Sequence, residues 1–294
     1  MTDHAPVETL KRPTVTKVTL PAIDVSALEV SIHRIDESVY SHMAGSYWGW
    51  REVFDRDPNA RITQHPDVLL TELKWLEQSP ARPPVVVVCE SGSQTVGVAV
   101  LLPRSTAGEK KFGPAWDLKG YRLAGNRLLG ATDPHVQAHL VEALGRHLVE
   151  TKADFILAED VDESHPLLAL VESGSSGLRV FKPGPFQKRH RIQMPASLDE
   201  YMARFASKTR NTLKRKVKKF GECRLERITH PDQIPGFLSA AHEVAKKTWQ
   251  SDMLGLRIHN DESELEYFTA LASQEAMRSY VLWKDDAPVS FCVG

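Results

Sequence analysis

The stretch that decides the fold is Val85-Val86-Val87-Val88-Cys89-Glu90, then Ser91-Gly92-Ser93-Gln94, then Thr95-Val96-Gly97-Val98-Ala99-Val100-Leu101-Leu102. Two β-branched runs of strand length flank a short polar segment containing glycine, which predicts a β-hairpin turning at 91–94. Near the other end, Ser279–Lys284, the turn residues Asp285-Asp286-Ala287-Pro288 and Val289–Gly294 predict a second hairpin. Working outward, the same order precedes both. Leu28, Val30 and Ile32 alternate as in a half-buried strand over 27–35, a helical region follows over about 36–54, and Pro66–Glu77 reads as a second helix. Its apolar stripe is Val68, Leu69, Leu73 and Leu76. In the other half, Cys223–Ile228 alternates like a strand, and Pro231–Trp249 and Asp261–Ser273 read as helices. Strand, helix, helix, hairpin therefore occurs twice, which predicts a divergent duplication.

The first copy continues. A strand is expected near Tyr121–Ala124, and Asp133 before Pro134 caps a helix running to about Glu150, with Val136, Leu140, Leu144 and Leu148 on one face. Asp154–Ala158 suits a short buried strand and Leu167–Val171 a helix. After the second hairpin the sequence gives nothing comparable, so a last strand with an unpaired edge and no covering helix is expected, as in a protein cut short. Gly174-Ser-Ser-Gly177 and Pro183-Gly-Pro185 punctuate the seam. The expected organisation is a tail over 1–26, a first domain over 27–185 and a second, incomplete one over 186–294.

With 41% hydrophobic and 26% charged residues in 294, the composition is that of a globular protein able to bury a core. No apolar run approaches the roughly 20 residues needed to span a bilayer, and the N-terminus lacks the order of a secretory signal, so a cytoplasmic protein is expected. Cys89, Cys223 and Cys292 are too scattered for a disulfide framework or zinc site, and each is expected as a small buried apolar residue. Charge is segregated. Residues 182–224 hold 13 basic and 3 acidic side chains, +10, leaving −11 on the remainder of a chain whose net charge is −1.

That basic block contains a helix. Ser197-Leu-Asp-Glu200 has the form of a capping box, and Leu198, Tyr201, Phe205, Leu213, Val217 and Phe220 recur at helical spacing, with a break expected near Ser207. Three readings stand side by side. The cations form a solvated face whose stems cover the domain seam; or Lys208, Arg210 and Lys214 lie beside an anionic substrate, such as a phosphorylated or nucleotide-linked sugar or the phosphates of CoA; or the cluster binds nucleic acid. A near-neutral chain and a stripe needed for packing argue against the last.

The element order resembles the GNAT superfamily of acyl-CoA-dependent N-acetyltransferases, and its doubling resembles the Fem-type aminoacyltransferases and the CelD/BcsL-like group linked to polysaccharide biosynthesis. Two stretches carry the resemblance. Tyr201-x₅-Ser207-Lys208-x-Arg210-x₂-Leu213-x-Arg215-x₂-Lys218-Lys219 is similar to the helix introducing the second domain of that group, and Val281–Gly294 is similar to the hairpin preceding the acyl-CoA loop. The resemblance implies an α/β fold of two GNAT-like mixed-sheet units in tandem, acetyl-CoA or another acyl-CoA as co-substrate, no metal, and transfer to an amine on a sugar or cell-envelope precursor. It also implies impaired turnover, because the second unit's donor loop would lie after Gly294. The alternative is a non-enzymatic module binding anions or nucleic acid through 198–220.

In the GNAT pattern a strand splays from its neighbour and leads into an R/Q-x-x-G-x-G/A turn, whose backbone N–H groups hold the pyrophosphate. Arg127-Leu-Leu-Gly130-Ala-Thr132 approaches this in the first copy, but Thr132 occupies the final small position. Asp252, Asp261, Asp285 and Asp286 are the carboxylates near the second hairpin; each also suits a loop or cap, and no catalytic base is assigned. No HExxH occurs, and His135 with His139 is the single helical histidine pair. Trp48, Trp50 and Trp116 suit packing as well as a cleft. Gly-x-Ser-x-Gly is absent, which removes support for a serine hydrolase.

Overall fold

The computed structural model describes residues 23–35, 49–75, 82–106, 117–130, 133–159, 161, 166–172, 174, 177–181, 195–254 and 258–294. The chain forms a five-stranded sheet in the order β1 (Leu28–Arg34), β2 (Val85–Ser91), β3 (Gln94–Ser105), β4 (Lys119–Leu123) and β5 (Ile156–Leu157). Its first four strands are antiparallel to their neighbours, and β5 runs parallel to β4, pairing Tyr121 with Ile156 and Arg122 with Leu157. The expected Asp154–Ala158 strand is thus reduced to two paired residues.

Both faces are covered, which explains the unalternating valines. Val85 and Val87 pack with Val136, Leu140 and Leu144 of α3 (Pro134–Thr151). Val86 and Val88 face Trp50 and Val53 of α1 (Trp50–Arg56) and Leu69, Leu70 and Leu73 of α2 (Pro66–Trp75). A strand buried on both sides has no solvent-facing positions to mark with polar residues. Gly97 lets α3 approach, because a Cβ there would lie 2.6 Å from Val136 Cγ1. The hairpin closes on two residues, Gly92 and Ser93, tighter than the four expected, with a bulge between Cys89 and Glu90. The helix expected over 36–54 is described only from Trp50; of the tail expected over 1–26, residues 1–22 lie outside the described residues, as do Trp48 and Trp116, while Ile23 packs against the first core and Asp24 caps a 3₁₀ turn over Val25–Ala27. Trp50 is fully buried and donates from Nε1 to the Gln64 carbonyl at 2.9 Å, so it packs. Between β5 and the second half lies α4 (Pro166–Glu172).

The second sheet has three antiparallel strands in the order β6 (Arg224–Ile228), β7 (Ser279–Lys284), β8 (Ala287–Cys292), repeating the order of the first sheet's opening three. Its turn is Asp285-Asp286, both with positive φ (51° and 60°), the geometry of a two-residue hairpin. Between β6 and β7 come α7 (Ile234–Ala245), α8 (Trp249–Leu254) and α9 (Glu262–Ser273). The expected Pro231–Trp249 helix is therefore three pieces, a 3₁₀ turn over Pro231–Gln233 followed by α7 and α8. Helices α7 and α9 cover one sheet face, where Ile228, Phe237, Leu238, Phe268 and Val281 form the core. The opposite face leaves Leu225, Ser290 and Cys292 exposed. Cys223 is exposed as well, so only Cys89 is the buried residue expected of all three.

Preceding β6 are α5 (Leu198–Ala203) and α6 (Ser207–Phe220), broken over 204–206 as the sequence suggests. Ser197 Oγ accepts from the Glu200 N–H, while Glu200 Oε2 accepts from Ala196 N rather than from the cap residue. The apolar stripe of these helices is packed only in part: Leu198 is 74% and Val217 72% exposed, while Tyr201, Phe205 and Leu213 are half-buried. Nor does α6 cover the seam. The halves meet where α2 lies against α9. There Lys74 Nζ reaches Glu266 at 2.6 Å, Trp75 Nε1 donates to the same carboxylate at 3.0 Å, and Gln274 Nε2 donates to Asp67 at 3.2 Å. Amphipathicity supplies an apolar face; which surface meets it is decided by the other elements.

Candidate functional site

Two places in the fold can be tested as sites: the turn following β4, and the cationic helix α6 with the sheet behind it.

At the turn, β4 runs through a 3₁₀ segment over Ala124–Asn126 into Arg127–Gly130, and α3 begins at Pro134. Among the described residues, the Leu129, Gly130 and His135 donors are already engaged. Gly130 N–H donates to Asp57 Oδ2 at 2.9 Å, and the same carboxylate accepts the Asn59 N–H at 2.8 Å through Oδ1. Asp57 is buried. At the start of α3, Asp133 caps the helix by accepting the His135 N–H at 2.7 Å. Leu129 pairs its backbone with Val98 in both directions, at 3.0 and 2.8 Å. A phosphate brought here would meet two carboxylates beside engaged N–H groups, so the described residues of the turn do not fit a CoA pyrophosphate. The space between β4 and β5 is also bridged, since Asn126 Oδ1 accepts the Glu159 N–H at 2.9 Å. Gly120 brings the two strands together: a Cβ there would be 2.2 Å from the Phe155 carbonyl.

The second place begins at α6. Its fourteen residues carry Lys208, Arg210, Lys214, Arg215, Lys216, Lys218 and Lys219 and no acid. Lys218 and Lys219 in the last turn complement the helix dipole. Gly221, at φ +84°, ends the helix, and Lys284 Nζ donates to the Phe220 carbonyl at 2.8 Å while lying 4.9 Å over its ring. Lys208 and Lys214 are exposed and Arg210 half-buried. At about 100° per residue, Arg210 and Lys214 share one face, whereas Lys208 lies roughly 120–160° around the helix from them. The structure therefore brings together two of the three cations singled out in the sequence. Beside this helix, Trp283 Nε1 donates to Glu226 Oε2 at 2.8 Å, and Arg224 reaches the same carboxylate at 3.0 Å, its guanidinium 4.9 Å from the Trp283 ring centre.

The carboxylates near the second hairpin have local employment. Asp261 caps α9, and the Glu264 N–H and Ser263 hydroxyl hold its carboxyl below the ordinary aspartate range. Asp285 and Asp286 make the hairpin turn, and the Asp252 side chain lies outside the described residues. A carboxylate the sequence reading passed over is Glu264. Burial pushes its carboxyl above the usual range, against the opposing His259 N–H bond, and Oε2 is buried without a partner. Its signal was its place three residues after the Asp261 cap, which reads as a capping residue and nothing more.

His147 and Tyr121 form a buried pair in the first half, Nε2 to hydroxyl 3.2 Å. Burial lowers the histidine's pKa and raises the tyrosine's. With both closed off from solvent they brace β4 against α3. His135 is exposed and His139 half-buried, and His139 Nδ1 lies 2.8 Å from the His135 carbonyl. Among the described residues no group of three or more His, Cys, Asp or Glu is placed to hold a metal ion, and no helix is long and apolar enough to cross a membrane.

Residues 207–294, from the first residue of α6 onward, match the family model of an acetyltransferase (GNAT) domain. No curated protein and no solved structure matches the chain. The matched span holds β6, α7, α9, β7 and β8.

Proposed function

We propose that this chain is an acyl-CoA-dependent N-acyltransferase of two GNAT-like units in tandem, 27–185 and 186–294, related to the CelD/BcsL-like group. The transferred group is acetyl or another acyl, and the acceptor is an amine on an anionic sugar-linked or cell-envelope precursor met in the cytoplasm. The observation that carries this is the acetyltransferase-domain match over the same residues that repeat the strand order of the first sheet. Arg210 and Lys214 hold the acceptor's anionic group, the planar fork of the arginine fixing its orientation and the lysine adding a point charge. Lys208, on another side of α6, contributes long-range attraction only.

Donor binding is not drawn through the Arg127–Gly130 turn, where the Leu129 and Gly130 N–H groups are already committed, and turnover is proposed to be weak. The test is thiol release from acetyl-CoA with amino-sugar phosphates as acceptors. Slow, acceptor-dependent release is expected. Arg210→Ala should raise KM for the anionic acceptor about tenfold or more with kcat little changed. Release at ordinary enzymatic rates would overturn the proposed weakness, and no acyl-CoA-dependent release would overturn the enzyme.

A second reading is favoured by one observation: among the described residues no carboxylate is paired with the cations of α6. A non-enzymatic anion- or nucleic-acid-binding module would use them so. Polynucleotide affinity falling steeply with salt, with no acyl-CoA binding, would favour it.

A further inference from the structure

The α6 helix is built against its own stability. Arg210 with Lys214, Lys214 with Lys218 and Arg215 with Lys219 place like charges one turn apart, which weakens a helix. None of the seven cations is ion-paired to a described residue. At about 100° per residue, Leu213, Val217 and Phe220 fall in one stripe roughly 60° wide, bordered by Arg210 on one side and Lys216 on the other. Val217 is 72% and Phe220 38% exposed and Leu213 is half-buried, and among the described residues no helix or strand packs broadly over α6.

We propose that α6 docks in the headgroup layer of a bilayer containing anionic phospholipid. The apolar stripe turns toward the acyl chains, and the exposed Lys216 sits beside it at the level of the phosphates, its aliphatic stem following the stripe. Charge complementarity selects the occupant. A polynucleotide would neutralise the cations and leave Val217 and Phe220 in water, whereas an anionic bilayer takes up both the charge and the apolar side chains. With seven cations and no acid over its fourteen residues, α6 itself presents a positive field to a negative surface. The attachment lies in the membrane plane and does not depend on the chemistry proposed above.

The test uses the full chain with sedimentable vesicles of phosphatidylglycerol and phosphatidylethanolamine, neutral phosphatidylcholine vesicles as reference, and single-stranded polynucleotide in a parallel titration. Binding to the anionic vesicles should exceed that to the neutral ones by about tenfold or more, and Lys216→Gln should weaken it about fivefold. Val217→Asp should weaken it by about tenfold or more with an unchanged circular dichroism spectrum, because Val217 is not part of a core. Three results would overturn the proposal: no preference for anionic vesicles; Val217→Asp binding them like the parent, which means surface adsorption by charge alone; or retention by polynucleotide with no vesicle binding.

Discussion

Replacing Asp57 by alanine tests the reasoning that closes the turn after β4 to anions. The buried carboxylate accepts the Gly130 N–H at 2.9 Å and the Asn59 N–H at 2.8 Å, and neither bond can be remade by a methyl group. An orphaned donor out of water costs about 1–3 kcal/mol. Gly130 is partly buried and bears most of that; Asn59 is exposed, so its N–H recovers water and adds a smaller amount. The expected loss is about 2–4 kcal/mol, a large share of the roughly 5–15 kcal/mol that holds a domain together. Asp57→Asn keeps one accepting oxygen and should lose about 1–2 kcal/mol. The assay is urea unfolding followed by far-ultraviolet circular dichroism, compared at constant m. A loss under about 0.5 kcal/mol for Asp57→Ala would mean that Gly130 N–H is not committed to this carboxylate, and the argument against phosphate binding at the turn would fail with it.

Three other measurements bear on the same structure. Burial depresses the pKa of His147 and of His65, so both are protonated more readily in the unfolded chain; the stability they contribute is present above the ordinary histidine value of 6.5 and is lost as pH falls through the lowered one, at up to about 1.4 kcal/mol per pH unit for each. His147→Phe should flatten that acid slope, and an unchanged slope would refute it. At the seam, Glu266→Ala removes the shared acceptor of Lys74 and Trp75; because these side chains are partly solvated, the expected loss is only about 0.5–1.5 kcal/mol, and a loss above about 3 kcal/mol would show the contact to be far drier than it is drawn. Titration with a thiol reagent under native conditions should label Cys223 and Cys292 quickly and Cys89 only on unfolding, since burial places Cys89 inside the sheet with its pKa pushed up to about 11.

What was legible in the sequence was legible for local reasons. Val85–Val88 and the Asp133-Pro134 start of α3 declare themselves through propensity and capping, which act over a few residues. The break between α5 and α6 was visible too, where the stripe loses its phase at Ser207. Cys292 and Val217 were misplaced because alternation and helical periodicity say which residues share a face but not whether that face finds a partner. Glu264 was missed because its sequence position is that of an ordinary cap residue.

The sequence by itself determined the order of elements, the two hairpins, the acidic and basic segregation and the cationic character of α6, since each follows from side-chain type at short spacing. Only the tertiary structure decided that the Gly130 turn is closed, because the carboxylate that fills it stands 73 residues earlier in the chain. It likewise decided that the seam runs through Lys74, Trp75 and Glu266, 191–192 residues apart, and that Val217 and Phe220 of α6 stay exposed. Contacts of that span depend on how whole elements pack, and no local pattern of residues encodes them.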